Sequence, residues 1–260
     1  MTASFAAIMI LDGWLDGTLL CILIIGLLIL SQLELSKLAA AKGVQIFTGV
    51  SIIGSILLAT AWYWLQFVHR PSSIVFPFLV AFVLMAVLLY QYLRFGVSNI
   101  LTNSGATFFS ICYLGLLIGF VLGIRIDFGI WHTLMFVFVV KFADIGAYAI
   151  GSLFGRHKFS PKISPSKTWE GMGGAVAAAV LVAIVFAVSC DIMVWRLAII
   201  FGVCFAFIGQ MGDLVESMLK RDSAQKDSAN RVPSFGGILD IIDSPLLAAP
   251  FAYLFFMFCR

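Results

Sequence analysis

Carboxylates placed inside apolar sequence are the first sign of chemistry in this chain. Asp213, Glu216, Ser217 and Lys220 fall three, four and seven positions apart, a spacing that lines one face of a helix. Asp240 and Asp243 stand three apart in GGILDIIDSPLL, just after Gly236 and Gly237, which permit a tight bend. Oxygen donors from two segments suit a hard cation, and magnesium is commonly held by one or two carboxylates together with substrate phosphates. Between these acids lie Lys220, Arg221, Lys226 and Arg231, cations suited to the remaining phosphate charge. Polyphosphate chemistry asks for this combination, because the protein's task there is positioning and charge neutralisation. A solvated loop of mixed charge explains the basic residues equally well, but not acids that continue an apolar helix.

Two further clusters precede this one. In KFADIGAYAIGSLFGRHKFSPK, Lys141 and Asp144 are three apart and share a helix face, so they partly offset each other. A charge inside a membrane span costs roughly 2.5–3.5 kcal/mol on insertion scales, so such residues need a reason to be there. Two reasons stand open: an ion pair that fixes helix packing, or Asp144 facing a polar cavity that holds a cation or its water. In SPSKTWEGMGG, Ser164, Ser166 and Thr168 surround Lys167 ahead of an apolar run. Hydroxyls and free N–H groups at a helix start suit an anion such as phosphate. An ordinary capped helix with a juxtamembrane lysine and an interfacial Trp169 fits the same residues.

The elements that must position these groups are membrane helices. The 260 residues are 62% hydrophobic and 11% charged, against about 25% charged in soluble domains, and the mean hydropathy is +1.09. Residues 17–33, 43–69, 71–93, 95–124 and 171–190 hold no Asp, Glu, Lys or Arg, and each meets or approaches the length of a bilayer crossing. Their backbones have no water to bond in hydrocarbon, so they must be helical, and they lack the alternation of a membrane barrel. Spans at 128–150, 195–217 and 244–259 complete an all-α, polytopic integral membrane protein of about eight helices, seven to nine if residues 3–11 are weighed. Residues 1–127 read as a scaffold of transmembrane helices. Residues 128–260 read as the catalytic region, with polar loops at 151–170 and 218–243.

With eight spans, one set of loops holds Lys37, Lys42, Arg94, Arg156, Lys158, Lys162, Lys167, Lys220, Arg221, Lys226 and Arg231, eleven in all. The opposite side holds Arg70, Arg125, Arg196 and Arg260, so the first set is cytoplasmic and the acidic start with Asp12 and Asp16 is outside. No basic region precedes the first short apolar run, so no cleavable signal is read there. A net charge of +3 makes no case for nucleic acid. The five cysteines are scattered without CxxC spacing, so neither zinc nor a disulfide framework is indicated.

Residues 140–250 resemble the phosphatidate cytidylyltransferase (CDP-diacylglycerol synthase) family. That family's signature runs approximately S-x-x-K-R-x4-K-D, then P-x-H-G-G-x-x-D-R-x-D. It is matched here by Ser217, Lys220, Arg221, Lys226, Asp227, Pro233, Gly236, Gly237, Asp240 and Asp243. GDLVES, ADIGAY and GRHKFSPKISPSKTWEG are similar to the family as well. The resemblance implies that CTP and phosphatidic acid are joined to give CDP-diacylglycerol and pyrophosphate, a step of phospholipid biosynthesis, with magnesium required and potassium as a second ion. It implies Asp213 and Asp240 as metal ligands, with Asp144 and Asp243 close by as metal or water ligands. It sets Lys167, Lys220, Arg221 and Lys226 against phosphates, with Ser164, Ser166, Thr168, Ser217 and Asp227 in the substrate site. It also implies a homodimer in a bacterial-type inner membrane, with the site facing the cytoplasm. Two positions depart from the signature: Phe235 replaces its His and Ile241 its Arg, removing two phosphate donors. The rival readings are a CTP-dependent kinase or cytidylyltransferase for another membrane lipid and, from a different class, a cation-coupled transporter. A transporter usually carries paired repeats with broken helices in both halves, whereas the polar residues here sit in one half. A CDP-alcohol phosphotransferase would carry a D-G-x2-A-R run, which is absent.

Overall fold

The structure, a computed structural model, describes residues 9, 12, 17–68, 72–224 and 237–259. Readings that fall on residues 3–8, 10 and 11, and on Asp16, Arg70, Lys226, Asp227, Arg231, Pro233, Phe235, Gly236 and Arg260, lie outside the described residues. Among the described residues seven helices are long and apolar enough to cross a membrane, and eight if one bent pair crosses as a single span. The chain divides into two compact units: residues 15–126 with 219–241, and residues 1–14 with 127–218 and 242–260.

The first unit holds α1 (Thr18–Ala41), the bent pair α2 (Thr48–Ala59) and α3 (Ala61–Val68), α4 (Ser72–Phe95), and α5 (Ile100–Ser110), which passes through a π turn (Ile111–Leu116) into α6 (Leu117–Asp127). α2 and α3 meet at 45°. At the break, the Thr60 hydroxyl donates to the Ile56 carbonyl at 2.8 Å, the back-bonding that bends helices. Phe47, Leu58, Val83, Val87 and Ile111 form a buried core. Lipid tails are as apolar as leucine, so helices here need close contact rather than hydrophobic drive to associate. Gly115 and Gly119 provide it: a Cβ on Gly115 would stand 2.5 Å from Ser55 Cα, and one on Gly119 3.0 Å from Ala59 Cα. The π turn coincides with a buried polar contact, in which Gln32 Nε2 donates to the Ser55 hydroxyl at 2.6 Å and to the Ser110 carbonyl at 3.1 Å.

The second unit is built on α7 (Ile130–Phe154), α8 (Trp169–Ser189), α9 (Trp195–Asp222, whose last turn belongs to the first unit) and α10 (Leu239–Phe258, whose first turn does likewise). α7 and α8 pack through Gly146 and Gly174, where each glycine's backbone carbonyl occupies the space of the other's missing Cβ. Phe201 is fully buried and stacks on Phe205 at 4.1 Å and on Phe256 at 5.2 Å. The polar stretch after α7 is a two-stranded antiparallel hairpin, β1 (Lys158–Ser160) and β2 (Ser164–Thr168), which the helical reading of the sequence did not anticipate. Ser166 and Lys167 therefore sit on a strand, and the helix they precede begins only at Trp169. Pro161 and Pro165 lie at the turn and within β2, where missing N–H groups are tolerated on an edge.

Candidate functional site

Within the second unit, acids from three helices converge on one hydroxyl. Ser244 Oγ bonds to Asp213 Oδ1, lies 3.0 Å from Asp144 Oδ2 and lies 3.3 Å from Asp243 Oδ1. The Ser244 backbone N–H donates to Asp243 Oδ1 at 2.7 Å. A hydroxyl has one proton and can donate to only one of these carboxylates at a time. Two lysines meet part of the remaining negative charge. Lys167 Nζ meets Asp213 Oδ2 at 2.9 Å and also donates to the Gln210 carbonyl at 3.1 Å. Lys141 Nζ meets Asp144 Oδ2 at 3.3 Å, and Gln210 Nε2 donates to Asp144 Oδ1 at 3.1 Å.

Local sequence explains the convergence. Gly212 has no side chain, and a Cβ there would stand 2.9 Å from Ser244 Cα and 2.5 Å from the Asp243 carbonyl, so α9 lies directly against α10 and delivers Asp213 to Ser244. Asp144 is carried by α7, whose close approach to α8 comes from Gly146, two residues on. Lys167 is delivered by β2, and the hairpin is tied at its base: Trp169 N–H donates to the His157 carbonyl at 2.9 Å. Glu170 accepts from the backbone N–H groups of Arg156 at 3.1 Å and His157 at 3.2 Å, and pairs with His157 Nδ1 at 2.6 Å. Thr168 caps α8, its Oγ1 accepting from Gly171 N–H at 3.1 Å. The capped-helix reading of this segment is thus seen in Thr168, while Lys167 faces the acids.

Beside Lys167 and Asp213 is a cavity of about 290 Å³, also lined by Asp144, Gln210, Ser166, Thr168, Tyr148 and Phe159. It combines cationic, anionic and hydroxyl groups, the equipment for a phosphorylated ligand with a bound cation. Among the described residues no three Asp, Glu, His or Cys groups form a ready-made metal cage. A magnesium ion does not need one: its usual partners are one or two carboxylates with phosphate oxygens and water. The hard oxygen donors of Asp144 and Asp213, crowded with charge, fit such an ion.

The first unit holds a second cluster. Lys220 Nζ meets Asp240 Oδ1 at 2.8 Å, and Asp240 Oδ2 accepts from Gly237 N–H at 2.8 Å. Glu34 of α1 is fully buried and accepts from the next two N–H groups, Ile238 at 3.1 Å and Leu239 at 3.0 Å. Two carboxylates thus satisfy three successive N–H groups at the start of α10, where a helix leaves such donors unpaired. Arg221 is exposed on the last turn of α9.

The structure brings Asp144, Asp213, Asp243 and Lys167 together in one unit and Lys220 with Asp240 in the other. Ser217 lies half-buried one turn beyond Asp213 on α9, and Ser164 faces Ser166 across 3.4 Å on β2. Three residues escaped the sequence reading. Ser244 and Gln210 are ordinary polar residues in their spans, and only tertiary contacts single them out. Glu34 carried a readable signal, since an acid within a helix as apolar as α1 is expensive unless it has partners.

A model of the cytidylyltransferase family matches residues 1–259. A phosphatidate cytidylyltransferase of Staphylococcus saprophyticus is 33% identical over 259 residues, covering 96% of this chain and 95% of that one. One of Chlamydia pneumoniae is 33% identical over 241 residues, covering 86% and 78%. One of Haemophilus influenzae reaches 44% identity over 131 residues, 48% of this chain and 46% of the other.

Proposed function

The chain belongs to the cytidylyltransferase family, and on that premise we propose that it acts on the substrates its relatives' names imply. It is a membrane-embedded nucleotidyltransferase, a phosphatidate cytidylyltransferase that makes CDP-diacylglycerol for phospholipid biosynthesis. A phosphate oxygen of phosphatidic acid forms a bond to the α-phosphorus of CTP, the bond from that phosphorus to the β-phosphate bridging oxygen breaks, and pyrophosphate leaves. The attacking phosphate monoester is already largely ionised at neutral pH, so no general base is needed.

The observation that carries this reading is the cavity where Lys167, Asp213 and Asp144 meet. Lys167, held by Asp213 in the free protein, turns to a phosphate oxygen of the nucleotide when it binds. Lys220, Arg221 and Lys226 keep the phosphate-contacting role that the family resemblance gives them. Asp213 and Asp144 would hold magnesium, with Asp243 beside them as a further acid and potassium as a second ion. These carboxylates would hold the magnesium where its charge would offset that of the phosphates. Gln210 and Ser244 orient the carboxylates. The basic bias of eleven residues against four supports a cytoplasmic site, to which CTP comes by diffusion while the lipid approaches laterally in a bacterial inner membrane. A homodimer is the expected assembly.

The test is turnover of labelled CTP with phosphatidic acid and magnesium by the purified protein, reading CDP-diacylglycerol. Full product formation by Asp213→Ala would remove the assigned role of that carboxylate. Cation uptake into liposomes without any CDP-lipid would favour the transporter, and turnover only with another lipid phosphate would shift the substrate.

A further inference from the structure

The cavity beside Lys167 and Asp213 has a second kind of wall, which phosphate chemistry does not use. Tyr148 of α7 and Phe159 of β1 line it, together with the hydroxyls of Ser152 and Ser166. Tyr148 and Ser152 stand four and eight positions after Asp144, so one face of α7 passes from carboxylate to phenol to hydroxyl in steps of about 6 Å. Phe159 reaches the cavity from the hairpin, and the ring of Trp169 braces it edge-on, with centroids 4.8 Å apart and planes at 85°. Around it the hairpin is polar, with Lys158, Ser160, Lys162 and Ser164, so this ring does not belong to a lipid-facing apolar span.

The geometry points to a nucleobase subsite in which Phe159 and Tyr148 take the pyrimidine ring of the nucleotide while Lys167 takes its phosphates. The inference rests on the CTP-using reading above and names how that same cavity recognises its substrate. A pyrimidine has π faces that stack on aromatic rings and an edge of donors and acceptors that matches hydroxyls such as Ser152 and Ser166. With the α-phosphate beside Asp144 and Asp213, the base of an extended nucleotide falls about one helical turn away, where Tyr148 stands. Phosphates meet charge at one end and the base meets rings at the other, so one cavity of about 290 Å³ accommodates both kinds of group.

The experiment uses the purified full chain and the variants Phe159→Leu, Phe159→Tyr and Tyr148→Leu, varying CTP and phosphatidic acid separately. CMP and pyrophosphate serve as inhibitors that carry the base and the phosphates apart. Phe159→Leu is expected to raise the KM for CTP and weaken CMP inhibition roughly 10-fold. The KM for phosphatidic acid, kcat and pyrophosphate inhibition stay within about twofold. Phe159→Tyr restores the wild-type values, and Tyr148→Leu moves the same two quantities by less. An unchanged KM for CTP in both leucine variants overturns the subsite. So does a rise confined to phosphatidic acid, which would make the ring a lipid contact, or an equal loss of CMP and pyrophosphate inhibition, which would reduce it to a support of the hairpin. If the wild type makes no CDP-lipid, the underlying reading fails by itself. The subsite is then judged by thermal stabilisation with CMP, present in the wild type and lost in Phe159→Leu if the inference holds, and absent from both if it does not.

Discussion

Lys167–Asp213 and Lys220–Asp240 pair the same residue types at nearly the same distance, 2.9 and 2.8 Å, yet they are held by different means. The other oxygen of Asp213 bonds a side chain, Ser244, which itself touches Asp144 and Asp243. The other oxygen of Asp240 bonds a backbone N–H at the start of α10, next to two more taken by Glu34. A side-chain shell can rearrange by changing rotamers, whereas a backbone donor moves only with its helix. Asp213 is thus set in surroundings that can accept a ligand and let Lys167 go. Asp240 is bound into the fold, so its removal disturbs the helix as well as the charge.

That contrast is open to direct challenge. Asp213→Ala and Asp240→Ala are each expected to lower CDP-diacylglycerol formation roughly 100-fold or more, the scale of losing a group that stabilises transition-state charge. The two should part on stability. Asp240→Ala removes a helix-cap acceptor, at about 0.5–2 kcal/mol, and lowers Tm, whereas Asp213→Ala relieves a crowd of carboxylates and leaves Tm unchanged or higher. Equal Tm losses would erase the distinction. Ser244→Ala comes next, with a roughly 10-fold loss of activity, the scale of disturbing a residue that orients ligands. Its half-saturating magnesium concentration should rise as well, and a fall in Tm with no change in magnesium dependence would mean that the hydroxyl only packs.

Glu34→Ala should cost stability first, because two buried N–H groups lose their acceptor at about 1–3 kcal/mol each. Activity would follow only as the start of α10 loosens, and Glu34→Gln, which keeps one acceptor, should recover part of both. Full stability of the alanine variant in a melting experiment would sink this role. The smallest effect belongs to Lys42→Ala. Its bond to Asp222 is short at 2.5 Å, but the side chains are 47% and 66% exposed. Such pairs contribute about 0–1 kcal/mol, so both Tm and turnover should hold.

The membrane class, the helical spans and the acids within them were legible in the sequence, because burying charge in hydrocarbon is costly enough that each Asp or Lys inside a span announces itself. Lys141–Asp144 could be read from a three-residue spacing, since a helix places those positions on one face. The hairpin was less visible, because its strands are three and five residues long and rich in polar residues and proline, too short for an alternation to show.

What the sequence alone determined is the set of charges and the helices that carry them, since both follow from local composition and the absence of water in the bilayer. Beyond neighbours on one helix face such as Lys141 and Asp144, which partner each charge takes was decided only by tertiary structure. Gly212 shows why: whether a missing side chain lets α9 meet α10 at Ser244 depends on which helix lies opposite, and no local pattern records that. Glu34 and the start of α10 are some 200 positions apart in the chain, and they meet because N–H groups at a buried helix start must find an acceptor wherever the fold supplies one.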